Sequence, residues 1–190
     1  MRIAGLITAF ALSISLGAFP ILAQTQAVVD GKIAPGEYAR TYTHDASGIR
    51  LAWRVSGDIL QLAIQASGDG WIGIGFLAKR AKGKQGADQY IFSTEGGKPV
   101  ALDLYQSAVL GRPVLDEEEG GKNSILQSAV VREGKNWTVE FTRKLRTGEK
   151  TDMEIVPGKK FSLLLALGAT ENWKQPHKNT QRWEIGGFAS

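Results

Sequence analysis

The sequence contains no cysteine among its 190 residues and only two histidines. The absence of cysteine excludes disulfide bonds, thiolate metal sites, a cysteine nucleophile and a covalently attached c-type haem. Two histidines without a cysteine also argue against a structural zinc site. A chain of this length can bury a sizeable hydrophobic core without such crosslinks, so their absence does not argue against a stable domain.

Several catalytic and nucleotide-binding motifs are also missing. The chain has no Gly-x-Ser-x-Gly elbow and no phosphate-binding loop, and Gly70, Gly73 and Gly75 do not have dinucleotide-binding spacing. The acidic run Glu117–Glu119 is more typical of a solvated loop than of an acid/base pair. We therefore assign no catalytic residue and expect no autonomous enzyme activity.

The formal net charge of +4 is modest, and its densest basic segment is Lys79–Lys84. Such a cluster is typical of a solvated loop, and a docking patch for an acidic redox partner is a second interpretation. We expect no nucleic acid partner, because the chain carries signs of export and exported proteins rarely meet nucleic acid.

The signs of export lie in residues 1–23, which resemble a secretory signal peptide. Arg2 supplies the charged start, Ile7–Leu22 is almost wholly apolar, and Ala23 and Ala27 are small residues suited to cleavage. The apolar segment is short for a membrane anchor and no positive flank follows it. We expect cleavage, no stable membrane span afterwards, a periplasmic or secreted location, and one domain over residues 28–188.

Short alternating segments separated by turn pairs dominate the rest of the chain. Ile49, Leu51, Trp53 and Val55 alternate with polar or small residues and should share one buried face. No amphipathic helix of useful length is present. This pattern predicts an all-β fold, an immunoglobulin-like antiparallel β-sandwich. We expect a surface loop over Leu110–Asn123 and a last strand over Arg182–Phe188.

The segment Gly70–Phe76 alternates large apolar residues with glycine. In a strand, Trp71, Gly73 and Gly75 share one face, while Phe76 and the two isoleucines share the other. Glycine weakens a strand interior, so two on one face indicate a bulge, a bend or a flat group lying against that face. The alternative is that these glycines make room for tryptophan rings of the facing sheet.

His177 is the main candidate metal ligand. It follows Pro176 in a polar segment that we interpret as a loop, and a neutral imidazole is the commonest metal ligand in proteins. The alternative is an ordinary surface histidine. His44 lies in a predicted turn, and we interpret it as a surface residue.

Several segments, in this order, resemble the DOMON domain, a family of secreted β-sandwich modules that includes cytochrome domains of extracellular dehydrogenases. The resemblance covers most of the chain after the signal peptide. It is carried by Asp30–Tyr38, Gly70–Phe76, Gly86–Asp88, Gly120–Leu126 and Val139–Lys150.

Haem-binding members of this family hold one b-type haem between a methionine and a histidine. The resemblance places His177 at the histidine position and Arg182 near an arginine that often follows it. It places Lys84, rather than methionine, two residues before Gly-Ala-Asp. Lys84 would ligate iron only as a neutral amine. The alternatives are an ordinary loop lysine, a haem bound by His177 alone, or no haem.

The resemblance implies an electron-transfer module in which haem b is the cofactor and a redox protein is the partner. Gly73 and Gly75 would let the macrocycle approach the sheet, and Trp71 or Phe76 would line its pocket. A second hypothesis is a carbohydrate-binding module, in which exposed Trp71, Trp173 or Trp183 would stack on sugar rings. A third is a structural or interaction module. In each case we expect Asp88 to accept hydrogen bonds from loop backbone.

Overall fold

The computed structural model describes residues 27–78, 81–185 and 187–188, and only the backbone for residues 179–185. The predicted signal peptide, residues 1–23, lies outside the described residues. No helix within the described ranges is long and apolar enough to cross a membrane.

The described residues form eleven β-strands and one short 3₁₀ helix at Asp116–Glu119. Alternation of apolar and polar residues within these segments, interrupted by Gly-containing turns, accounts for most of the strands. The strands are β1 Arg40–His44, β2 Ile49–Ser56, β3 Ile59–Ser67, β4 Ile72–Leu77, β5 Ala87–Glu95, β6 Lys98–Gln106, β7 Val114–Leu115, β8 Gln127–Glu133, β9 Asn136–Lys144, β10 Phe161–Gly168 and β11 His177–Ile185.

The strands make two antiparallel sheets that pack face to face. One sheet has the order β1-β2-β3-β9-β8, and the other has the order β11-β10-β4-β5-β6-β7. Ile49 and Leu51 of β2 are almost fully buried, and Trp53 and Val55 pack against the same core. The predicted antiparallel β-sandwich is therefore confirmed.

An aromatic cluster fills one part of the space between the sheets. The ring of Phe76 on β4 lies 5.8–5.9 Å, centroid to centroid, from the rings of Tyr90, Phe161 and Phe188. Tilted and edge-to-face pairs of this kind contribute about 0.5–1.5 kcal/mol each beyond simple burial. These contacts fix the orientation of β4, and with it the direction in which its glycines face.

Two predicted boundaries differ from the structure. The expected loop over Leu110–Asn123 contains β7 and the 3₁₀ helix, and the last strand begins at His177 rather than at Arg182. The first residues of β11 are polar, and for this reason the sequence predicted a loop there. It is the edge strand beside β10, where one side of the backbone is paired and polar side chains are tolerated.

Candidate functional site

Two glycines of β4 lie on the outer face of the six-stranded sheet. Ile72, Ile74 and Phe76 face the core between the sheets. The alternate positions, Gly73 and Gly75, therefore face outward and add no side chain to the outer surface.

The indole of Trp71 lies on this outer face and fills part of the space that the glycines leave. A Cβ atom added at Gly168 of β10 would lie 2.5 Å from Nε1 of Trp71, and one at Gly73 would lie 3.0 Å from its Cζ3. Backbone bonds hold the ring in place: Gly168 N–H donates to Trp71 O (2.7 Å), and Trp71 N–H donates to Thr170 O (3.0 Å). Gly73 and Gly168 thus make room for Trp71, which precedes β4 in their own sheet, and not for a tryptophan of the facing sheet, whereas Gly75 lies against Gln89.

Apolar side chains continue around Trp71 and form a second cluster, separate from the main core. It is built on three buried residues, Trp71, Ile91 and Leu104. Ala166 and Trp173 are among the partly buried residues that pack against it. A sheet face that is apolar on the outside, as well as on the core side, is a common sign of a binding surface.

A cleft of about 510 Å³ opens above this surface. Its floor is made by β4, β5 and β10, and its walls are the segments that carry Lys84, Arg112, and Trp173–His177. The volume lies within the range of roughly 300–1,000 Å³ that is usual for small-molecule and cofactor sites.

Lys84 reaches the cleft from a short turn that is well tied to the sheet. Ala87 N–H donates to Lys84 O (3.0 Å), and Gly86 N–H donates to Gln106 O (2.8 Å). The side-chain amide of Gln85 donates to Ser107 O (3.1 Å). These bonds fix the turn at Lys84 and at the two residues after it, while the side chain of Lys84 lines the cleft.

His177 reaches the same cleft from the opposite wall, as the first residue of β11. It pairs with Gly168 beyond an irregularity in the β10–β11 register. Partial burial, and then the positive charge of Lys84, lower the pKa of His177 below its usual value. This shift favours the neutral imidazole, which is the form that binds a metal ion.

The charges that line the cleft are all positive. Lys84, Arg112 and Lys174 line it together with His177, and none of the described lining residues is acidic. Two buried donors beneath its floor, Trp71 Nε1 and Gln89 Nε2, have no hydrogen-bond partner among the described residues. The positive lining makes the cleft suited to a ligand with a large apolar surface and negatively charged groups.

The structure brings together five of the seven predicted site residues: Trp71, Gly73, Gly75, Lys84 and His177. It does not bring Phe76 to the cleft. That ring is fully buried between the sheets, because its position on β4 alternates with the two glycines. Arg182 pairs with Leu164 in the β10–β11 register, and its side chain lies outside the described residues, as does that of Trp183.

Sequence reasoning did not single out Arg112, Lys174 or Gln89. Gln89 follows Asp88 on β5 and pairs with Gly75, so register alone would have placed it on the outer face. Arg112 and Lys174 lie in irregular segments, where no periodic pattern reveals the direction of a side chain.

Asp88, in the Gly-Ala-Asp motif, points away from the cleft. Its fully buried carboxylate pairs with Arg143 of β9 and accepts a hydrogen bond from Met153 N–H (2.9 Å). The expected bond from loop backbone is thus present, but the main partner is a guanidinium of the other sheet. The motif joins the two sheets below the site and does not contribute a ligand to it.

The chain matches one family model, and its fold is similar to those of two solved cytochrome domains. The family model described as DOMON domain matches residues 45–168, more than half of the chain. The cytochrome b domain of pyranose dehydrogenase from Coprinopsis cinerea is 10% identical, with a TM-score of 0.55 over 76% of this chain and 80% of that chain. The cytochrome domain of cellobiose dehydrogenase from Myriococcum thermophilum is 9% identical, with a TM-score of 0.55 over 80% of this chain and 90% of that chain. No curated protein matches the chain.

Proposed function

The chain belongs to the DOMON family, and from this premise we propose that it is a b-type haem module that transfers single electrons to a partner protein. The observation that carries the proposal is the apolar cleft of about 510 Å³ that His177 and Lys84 both line. The cytochrome domains that share the fold, at 9–10% identity, support the same proposal.

The residues of the cleft fit such a group. Its floor offers flat, apolar surface at Trp71 and Ala166, and no Cβ atom projects from Gly73 or Gly75. The propionates of haem are anionic, and the cations Arg112 and Lys174 line the cleft without a carboxylate among the described lining residues. Haem supplies reversible one-electron chemistry when bound, and the protein supplies ligands and a dry surface.

We assign His177 as the protein ligand to iron and Lys84 as the candidate second ligand. Neutral imidazole is already the favoured form of His177, because burial and the charge of Lys84 lower its pKa. An amine binds iron only after losing its proton, so the metal charge must favour that form of Lys84. A five-coordinate haem held by His177 alone is the simpler alternative.

Haem titration of the purified protein, followed by absorption, tests the proposal. We expect one haem per chain and a Soret band, with binding weakened at least about 10-fold in His177→Ala, since even outer-shell changes around a metal cost that much. His44→Ala is the matched control, because His44 lies on the edge strand β1 and bonds Ser47 (2.8 Å). Equal binding by both variants would contradict the assignment of His177.

The role of Lys84 needs a separate comparison. Lys84→Ala should change the spectrum of bound haem, whereas Lys82→Ala, in the same turn but outside the cleft lining, should not. An unchanged spectrum in Lys84→Ala would indicate the five-coordinate alternative.

A carbohydrate-binding module is the second candidate function. The ring of Trp173 favours it, because this residue lines the cleft and is only partly buried, so that it could stack on a sugar ring. Trp71 was expected to be exposed for the same role, but it is only 5% exposed. Saturable binding of a sugar by haem-free protein, lost in Trp173→Ala, would support this function over the first.

Location and partner follow from the same proposal. An exported electron-transfer module would act in the periplasm or outside the cell, with a redox protein as its partner and no substrate turnover of its own. Detection of the protein in the periplasmic fraction, shortened at its amino terminus, would test the export step.

A further inference from the structure

The loop between β10 and β11, residues 169–176, forms one wall of the cleft. It carries Trp173 and leads directly into His177, and both of these residues line the cleft. His177 pairs with Gly168 beyond the irregularity in the β10–β11 register, at the end of the ladder. The position of His177 therefore depends on how this loop is held, as well as on the pairing of β11.

The first residues of the loop are tied to the six-stranded sheet. Trp71 N–H donates to Thr170 O (3.0 Å). The hydroxyl of Ser93, a fully buried residue of β5, donates to Glu171 O (2.5 Å). The backbone of the loop is thus anchored to this sheet as far as Glu171.

After Glu171, the loop forms a local turn. The side chain of Asn172 accepts the N–H of Lys174 (3.0 Å), and its carbonyl oxygen accepts the N–H of Gln175 (2.9 Å). An asparagine that bonds the backbone two residues later is a common device for building a compact turn. These bonds give the turn its shape, but they do not determine how it is placed over the cleft.

The side chain of Glu171 reaches the other sheet, where it forms an ion pair with Arg132 of β8. Each of the three guanidinium nitrogens donates a hydrogen bond: Nη1 to Glu171, Nε to Gly134 O (2.8 Å) and Nη2 to Asp69 O (3.1 Å). The guanidinium carbon also lies 4.9 Å from the ring centroid of Trp137, the residue opposite Arg132 in the β8–β9 ladder. Contacts with several segments therefore fix the orientation of this guanidinium.

We propose that Arg132 and Glu171, here called the cross-sheet pair, are positioning residues that hold the β10–β11 loop, and with it His177, at the cleft. Glu171 is the point where the loop leaves its backbone bonds with the sheet, so its side chain sets the direction of the turn that follows. The importance of His177 rests on the proposed haem function, whereas the placement of the loop does not require haem.

The exposure of the cross-sheet pair separates this role from a general effect on stability. The side chains of Arg132 and Glu171 are 20% and 44% exposed, and ion pairs with such access to water contribute little to global stability. A guanidinium that is already oriented loses little further freedom when it binds a carboxylate. Removal of the carboxylate should therefore release the loop and leave the two sheets intact.

Hydrogen exchange of the haem-free full chain, followed by mass spectrometry, tests the placement of the loop. In Glu171→Ala, peptides that cover residues 169–177 should exchange about 2- to 5-fold faster than in wild type, since a half-exposed ion pair is lost. Peptides from β3 and β9 should not change. Asp69→Ala is the matched control, because it removes an exposed ion pair with Lys135 while its backbone carbonyl still bonds Arg132.

Glu171→Gln distinguishes positioning from a simple loss of structure. The amide retains an oxygen atom that accepts from Arg132, so this variant should lie between wild type and Glu171→Ala. In haem-loaded protein, transfer of haem to excess apomyoglobin should also be about 2- to 5-fold faster in Glu171→Ala and be partly restored in Glu171→Gln. The Tm of both variants should fall by no more than about 4 °C.

Unchanged exchange of residues 169–177 in Glu171→Ala would overturn the proposal, and so would an equal increase in Asp69→Ala. Faster exchange throughout the chain would also overturn it, because the pair would then have a general structural role. A released loop with unchanged haem transfer would refute the positioning of His177. If wild type binds no haem, the proposed function fails, and the exchange results alone decide whether the pair holds the loop.

Discussion

Gly168 supports the floor of the cleft by leaving space for Trp71, and Gly168→Ala tests this directly. A Cβ atom there would lie 2.5 Å from Nε1 and 2.6 Å from Cγ of the indole. Ordinary contacts begin near 3.4 Å, so the ring would have to move by roughly 1 Å. The backbone of Gly168 has no positive φ, so its conformation does not itself disfavour alanine.

The expected cost follows from the burial of the ring. Trp71 is only 5% exposed and packs within the apolar cluster on the outer face. Forcing extra volume into a packed site costs about 1–3 kcal/mol. For a protein of this size, that corresponds to a fall in Tm of roughly 2–12 °C.

The assay is urea and thermal unfolding of four proteins: wild type, Gly168→Ala, Trp71→Ala and the double variant. Without the indole, the alanine should be neutral or should stabilise by about 0.4–1 kcal/mol, so the coupling energy should be about 1–4 kcal/mol. Gly68→Ala is the matched control, because its Cβ would meet only Leu167 at 3.9 Å. Additive effects in the double variant would refute the proposed contact.

Three further substitutions test other parts of the structure. Arg143→Met should lower the free energy of unfolding by about 3–5 kcal/mol in urea, because Asp88 loses its buried partner; Arg146→Met, at a surface pair with Glu154, should change it little. Glu140→Gln should release the segment 27–38 to limited proteolysis, since this buried carboxylate accepts the N–H of Gly31 (2.7 Å) and the hydroxyl of Tyr38 (2.6 Å); unchanged cleavage would contradict this role. Lys84→Met should raise the reduction potential of bound haem, measured by spectroelectrochemistry; an unchanged potential would place Lys84 away from the iron.

Strand periodicity predicted the fold because each sheet has a buried face that requires alternation. The alternation from Ile49 to Val55 can be recognised without the rest of the chain, and the structure confirms that these residues share a buried face. The start of β11 was missed for the opposite reason. An edge strand can be polar throughout, and its pairing with β10 is a long-range property that local sequence does not contain.

The candidate site could be predicted in part. Alternation separated the glycine face of β4 from the face of Phe76, yet that ring was still proposed as a pocket residue, which its burial in the core contradicts. The shared position of Lys84 and His177 came from the family resemblance, not from spacing. The meeting of the carboxylates of Asp88, Asp103 and Asp152 was not predicted, because these residues lie on three segments that only the folded chain brings together.

The central claim is that the cleft on the outer face binds a redox-active haem. The most direct measurement is an absorption spectrum of the haem-reconstituted protein, recorded after oxidation and then after reduction. We expect a Soret band that sharpens and shifts on reduction and that is lost in His177→Ala. A flat visible spectrum in a protein that remains folded by circular dichroism would contradict it.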